Sequence, residues 1–428
     1  MHVCPACFQS TGLGKRIEAI RPQHPWAPCN KHPRRKGVPI EAVAQIVDPV
    51  FRAHYAGVPD DGFGNSRGND LWTTLAELTE TDDDAILERL KDWLIENDDY
   101  WPPDGEDAFY SEEYGYVSDD FALEEHGRLW ALLRQRLMHE TRFFNDELEG
   151  LLHRIFDDVH LQRSADKLGP VYFIRPGSPE GRFFRARLAS DDLAATILNS
   201  PVPLLGPPPE HLRRPGRMNP SGIAVFYAGF ELDTCVSELR PVVGSGIVAA
   251  QFEITEPILV LDTTRFAGPP KAHDPFAKNA VQRAAQWRFM HTFMRQISQP
   301  VSPDDEHLDY VPTQVVAEYL ARRHAFSFEG ERKGFDAIIY RSAQSGEGRN
   351  IALFGDAARL VQPRAERPAS RSSSDDFWLD FDALESFSES RPGRLRLVPD
   401  TAKLYRVDRA LFPLVEPDAL DDNDDGGH

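Results

Sequence analysis

The chain is poor in cysteine: four among 428 residues, three of them within the first 29. That excludes the disulfide framework of a small secreted protein and favours a reducing compartment, where clustered thiols serve a metal. Long apolar runs are missing too. None approaches the roughly 20 residues that cross a bilayer. The opening MHVCPACF lacks the charged and apolar regions of a secretory signal. A cytoplasmic protein without membrane contact is expected. Positive charge is scarce, with 48 Lys and Arg against 68 Asp and Glu, a net charge of −20. Such a chain repels phosphate at long range, which disfavours a broad nucleic-acid or anionic-membrane surface. Much of the excess is local, in 98–113 and in the tail DALDDNDDGGH.

Hydrophobic residues make up 41% of the chain, enough to build cores in two or three domains. Residues 1–38 are short, polar and punctuated by Pro and Gly. Residues 39–165 carry helical spacing and predict a helical domain. PIEAVAQIVDPVFRAHY opens it with a kink or restart expected at Asp48-Pro49, and LWTTLAELTETDDDAILERLKDWLI and 121–162 follow. In the last of these Leu129, Leu132, Leu133, Leu137, Phe144, Leu148, Leu151, Leu152 and Ile155 recur at a helical period, whereas the acidic 98–120 stretch reads as a loop with aromatic anchors.

Near residue 170 the vocabulary changes to VYFIR, IAVFYAG, IVAAQFEI, ILVLDTT, AIIYRS and IALF, rich in β-branched and aromatic residues. Helices at 275–298 and 313–323 interleave with these strands, so 170–362 reads as α+β. Residues 363–392 read as a linker or insertion, with 366–376 mobile. Residues 393–417 supply a closing strand in which Leu404, Tyr405 and Val407 pair into the sheet. Residues 418–428 form an acidic, disordered tail.

Cys4-x2-Cys7 followed by Cys29-x2-His32 is the spacing of a tetrahedral zinc site, with His24 as a rival to His32 for the fourth position. Lys15, Arg16, Arg21, Lys31, Arg34, Arg35 and Lys36 surround it, the one clearly basic patch of the chain. That patch offers charge for RNA or DNA, and otherwise only solvates a surface. Cys235 stands apart and reads as a small packing residue.

GRMNPSGIAVFYAGFELDTCVSELRP (216–241) places Arg217 in a loop, Tyr227 at a strand end and a buried-looking Glu238 in a short helix. FDAIIYRSAQSGEGRNIALFGD (335–356) adds Ser342 and Asn350 about a turn. Read singly, such a glutamate is a solvated face and such a tyrosine is core. Their joint order resembles the RES domain, named for an Arg, a Glu and a Ser. The resemblance implies an ADP-ribosyltransferase-like fold that consumes NAD. Arg217, Tyr227, Glu238 and Ser342 match the family's catalytic positions. Arg185 in FFRARL, with Arg187 as its rival, matches a further arginine, and Asn350 a common asparagine. These residues would bind NAD, although the long 191–215 stretch departs from compact members. Chemically, nicotinamide leaves neutral, so the reaction needs a carboxylate beside the oxocarbenium ion rather than a general acid.

RES domains also occur fused to helical modules resembling HEPN domains, and 39–165 is similar to one. HEPN nucleases use Arg-x4–6-His, which Arg134/His139 and Arg154/His160 would satisfy. Two function classes follow. One is an NAD glycohydrolase, phosphorylase or ADP-ribosyltransferase acting as a bacterial toxin or antiphage defence effector. The other is an RNA-binding or RNA-cleaving HEPN and zinc module with a regulatory RES part. A restraining partner such as an antitoxin and a homo-oligomer are compatible with either.

Overall fold

The computed structural model describes residues 1–59, 68–98, 108–118, 124–140, 145–271, 274–277, 279–298, 309–361 and 393–409. Phe144, the expected linker at 363–392 and the expected tail at 418–428 lie outside the described residues. The chain is mixed helix and strand and divides into two compact units.

The first unit comprises Met1–Gln135, His153–Gly169 and Gly268–Thr292. Apolar residues three and four apart make Ile40–His54 a helix that buries Val43, Ala44, Val47, Val50 and Phe51. The helix does not restart at Asp48-Pro49 but runs on through Pro49. Asp48 ties the next turn by accepting Arg52 Nε at 2.7 Å, and it also accepts the Tyr110 hydroxyl at 2.8 Å. Arg52 lies over the Phe109 and Tyr110 rings at 4.5 and 4.8 Å. These rings are the aromatic anchors read in the acidic stretch.

The stretch at 71–95 forms two helices, Leu71–Thr79 and Asp84–Glu96. Left-handed Glu80 (φ 51°) ends the first, and Asp83 caps the second by accepting the Ala85 and Ile86 N–H groups. The unit is not wholly helical. Tyr55–Pro59 pairs antiparallel with Tyr114–Ser118, so part of the expected 98–120 loop is a strand. The periodic 121–162 segment is realised as helices Glu125–His139 and Asp146–Phe156, of which the stretch Arg136–Leu152 is counted with the second unit.

The second unit comprises Arg136–Leu152, Pro170–Ala267 and Phe293–His428. It is built on a nine-stranded sheet. In chain order the strands are β1 (Val171–Ile174), β2 (Arg182–Leu188), β3 (Val225–Gly229), β4 (Gly246–Ile254) and β5 (Ile258–Asp262). Then come β6 (Ala337–Arg341), β7 (Arg349–Phe354), β8 (Leu395–Leu397) and β9 (Lys403–Arg406). Across the sheet the order is β8-β4-β2-β3-β7-β6-β5-β1, with β9 pairing β4 beside β8. All pairs are antiparallel except β6 with β5.

One face carries the core, including Phe183, Phe226, Ala228, Val248, Phe252, Ile339, Ile351 and Leu353. Helices Asp191–Asn199 and Pro201–Leu205, which occupy the long 191–215 stretch, add Ala194, Ile197 and Leu205 to it. Strands β2 and β3 share one paired row, Phe184 with Gly229, so the sheet parts beyond it.

Candidate functional site

Strand register assembles the site. Tyr340 of β6 pairs with Asn350 of β7, and Asn350 pairs with Gly229 of β3. Paired residues share a face and residues two apart repeat it. Tyr227, Asn350 and Tyr340 therefore lie on the face opposite the Phe226 core. The helix Leu232–Ser237 follows β3 after a tight reversal and ends at Glu238. A side chain at Gly229 would put its Cβ 2.9 Å from the Cys235 nitrogen, so the absence of one lets this helix close down on the strand end. Cys235 is buried there, and desolvation raises its thiol to about 11, as suits packing and not nucleophilic attack.

Glu238 is exposed, not buried as its sequence context implied, because the chain leaves the helix at this residue. Its Oε1 atom is nevertheless held from below. Buried Ser342 donates its hydroxyl at 2.6 Å, and buried Asn350 donates Nδ2 at 2.7 Å. Oε2 takes no hydrogen bond among the described residues. The carboxylate is thus gripped by one oxygen and presents the other.

Arg217 sits at the tip of a turn closed by the Gly216 N–H to Asn219 carbonyl bond at 2.9 Å. The side chain of buried Asn219 organises that turn. Its amide donates to the carbonyls of Arg214, Pro220 and Ile223, while its Oδ1 accepts the Tyr227 hydroxyl at 2.8 Å. The Tyr227 oxygen in turn accepts the Met218 N–H at 2.8 Å. Helix Val311–Arg322 pins the same turn, with Thr313 donating to the Arg217 carbonyl at 2.6 Å and Gln314 to that of Gly216 at 2.8 Å. The Arg217 guanidinium lies 5.2 Å from the Tyr310 ring centre. Burial pushes the Tyr340 phenol well above its ordinary range, and the charges of Tyr227 and Glu238 push it the same way.

Arg185 is placed differently. Its guanidinium lies over the Phe226 ring at 4.5 Å and donates to the Tyr227 carbonyl at 3.3 Å. It fills the parting between β2 and β3 on the core side, and burial lowers its pKa to about 10. Arg187 is exposed and donates to the Leu204 carbonyl at 3.3 Å. The structure therefore brings Arg217, Tyr227, Glu238, Ser342 and Asn350 to one end of the sheet and leaves both arginines of β2 out of that group. Sequence reading missed Asn219, Tyr310 and Tyr340. Only Asn219 carried a local signal, beside Gly216 and Pro220. A cleft of about 1010 Å³ borders Val225, Asp336 and Phe354 and reaches Met218 and Pro220 of the Arg217 turn, although none of the five lines it.

In the first unit Cys4, Cys7, Cys29 and His32 converge, with their donor atoms all within 4.8 Å of one another. Cys7 and Cys29 sulfurs are 3.5 Å apart, and His32 Nδ1 is 3.5, 3.6 and 3.8 Å from the Cys4, Cys7 and Cys29 sulfurs. Those are the edges of a tetrahedron with metal–sulfur bonds of about 2.3 Å, so the set could hold a metal ion. His24 is not part of it. Of the HEPN-like pairs, Arg134 and His139 are exposed on their helix, while Arg154 donates to Glu125 at 2.9 Å and burial lowers the His160 pKa.

The RES domain family model matches residues 183–382, just under half of the chain. No curated protein and no solved structure matches it. No helix among the described residues is long and apolar enough to cross a membrane.

Proposed function

We propose that the RES domain degrades NAD by cleaving the bond between nicotinamide and ribose. RES domains are associated with NAD-related activity, and the observation that carries the finer reading is the grip of Ser342 and Asn350 on one oxygen of an exposed carboxylate. Nicotinamide departs neutral, so catalysis rests on stabilising the positive charge that grows on the ribosyl carbon. Glu238 Oε2 would face that charge or hold the 2′-hydroxyl, pre-oriented by the two donors on Oε1. Arg217 would grip the pyrophosphate, since its turn is fixed by Asn219, Thr313 and Gln314. The Tyr227 hydroxyl is spent on that turn, so its contribution to the substrate is the flank of its ring. Arg185 supports β3 beneath Tyr227 and is assigned no contact with NAD. The arrangement suits an ADP-ribosyltransferase-like fold acting as a hydrolase or phosphorylase, in a protein that depletes NAD as a toxin or defence effector.

The deciding experiment incubates purified protein with NAD, with and without inorganic phosphate, and identifies products by mass. Free ADP-ribose marks a hydrolase, ADP-ribose 1″-phosphate a phosphorylase, and a mass gain on protein a transferase. Stable NAD in every arm overturns the reading. Zinc is the metal assigned to Cys4, Cys7, Cys29 and His32, in a structural role, because three thiolates and an imidazole close all four positions. When bound it would cross-link the start of the chain to the 27–37 hairpin.

A further inference from the structure

We propose that the hairpin carrying Cys29 and His32, with Trp26 at its base, binds single-stranded nucleic acid. Trp26 is 67% exposed, and no other aromatic residue among those described is exposed. It is held, not dangling. Pro25 and Pro28 flank it in sequence, the Ala27 carbonyl accepts the Gly37 N–H at 2.8 Å, and Pro28 bridges Lys36. A rigid, uncovered indole is a stacking platform, and stacking accepts any base because every base has a π-face.

Charge accompanies the platform. Residues 1–38 hold seven Lys and Arg against one Glu, inside a chain whose net charge is −20. Three of the seven are committed: Lys31 to Asp83 at 2.6 Å, Arg21 to Glu18, and Arg16 to the Phe276 carbonyl at 2.8 Å. Lys15, Arg34, Arg35 and Lys36 make no ion pair among the described residues. Pro28 bridges Lys36 and the Cys29 N–H donates to the Arg35 carbonyl at 2.9 Å, so Lys36 and Arg35 lie across the hairpin from the residues two and three beyond Trp26, and Arg34 stands in the turn. Trp26 and Cys29 are three residues apart, a reach of at most about 10 Å. That spacing lets one strand stack a base on Trp26 and lay following phosphates along Lys36, Arg35 and Arg34. A duplex conceals its base faces and would leave the indole unused. The overall negative charge does not cancel this patch, because at physiological salt the screening length is only about 8 Å.

The test uses the full chain in its metal-bound form and fluorescein-labelled 12-mers of one mixed sequence, as RNA, as DNA and as the DNA duplex. Anisotropy is read at two salt concentrations. The expected result is micromolar binding of single strands that weakens with salt, with the RNA and DNA arms naming the source. Trp26→Ala should lower affinity about tenfold without changing the salt dependence. Arg34→Glu with Arg35→Glu should lower affinity and flatten the salt dependence. Both variants alter exposed positions, and unchanged zinc content and melting temperature show that the hairpin is intact. Absence of salt-dependent binding at up to about 100 μM protein overturns the proposal, as does duplex bound as tightly as single strand, or an unaffected Trp26→Ala variant. None of these readouts depends on NAD turnover.

Discussion

Ser342 donates its hydroxyl hydrogen to Glu238 Oε1 at 2.6 Å, across 104 residues of chain. Its oxygen accepts the Gln344 and Ser345 N–H groups at 3.1 Å each, so the turn after β6 fixes the rotor. The hydroxyl hydrogen is committed to the carboxylate. Asn350 completes the grip from the neighbouring strand. The carboxylate is therefore held in one orientation, and under the proposed NAD cleavage this would be the preorganisation that makes a charged group effective against a developing cation.

Glu238→Gln should lower NAD consumption by about a hundredfold or more, the scale for losing a central electrostatic group. The residue is exposed, so the melting temperature should hold within a degree or two. Near-wild-type turnover by the purified variant would remove Glu238 from the chemistry.

Tyr227→Phe removes a hydroxyl that both donates to Asn219 and accepts from Met218. Stability should fall by roughly 1–3 kcal/mol, since two buried partners lose their bond. The Arg217 turn should loosen, so KM for NAD should rise more than kcat falls. An unchanged KM would show that the turn holds without the phenol.

Protein prepared without chelators should carry about one zinc per chain, measured by elemental analysis. Cys7→Ser should release it and expose residues 1–38 to protease while NAD turnover continues. Zinc-free protein with the same protease resistance would show that the four side chains fold without metal.

A chain ending at Val361 loses β8 and β9, and with them the buried Leu395. Chemical denaturation should show the nine-stranded unit destabilised, and Leu395→Asp alone should cost about 3 kcal/mol or more by burying an unpaired carboxylate. Equal midpoints for the truncated and full chains would mean that β4 needs no partner on that side.

His126 is buried, its Nδ1 has no hydrogen-bond partner among the described residues, and desolvation holds its pKa below the ordinary 6.5. The unfolded chain therefore binds the extra proton first, and stability falls as pH drops below about 6.5. The slope from one such group is at most about 1.4 kcal/mol per pH unit. His126→Gln should flatten the fall in melting temperature between pH 7.5 and 5.5, and an identical profile would show that other groups set it.

The motifs at 216–241 and 335–356 were legible because each is a local strand–turn–helix or strand–turn–strand pattern. The cysteine pairs were legible because a metal dictates ligand spacing. Tyr340 and Tyr310 were not, because their places follow from strand register and from a helix docking on a distant turn. Strand β2 was hidden by arginines at 182, 185 and 187, which break its apolar run. The Tyr55–Pro59 strand was hidden by Gly57 and Pro59, both poor strand formers. Glu238 looked buried because its neighbours Thr234 and Cys235 are, yet it lies at the helix end, where the backbone turns the side chain outward.

The sheet is completed by the last described segment, Lys403–Arg406, laid against β4. Synthesis runs from the amino terminus, so every residue of the proposed site leaves the ribosome while that side of β4 is still bare. Until residue 406 emerges, the nascent domain offers an open strand edge to neighbouring chains and to chaperones. Slower synthesis or scarce chaperone therefore lengthens or exposes that open-edge state, which the finished fold no longer has.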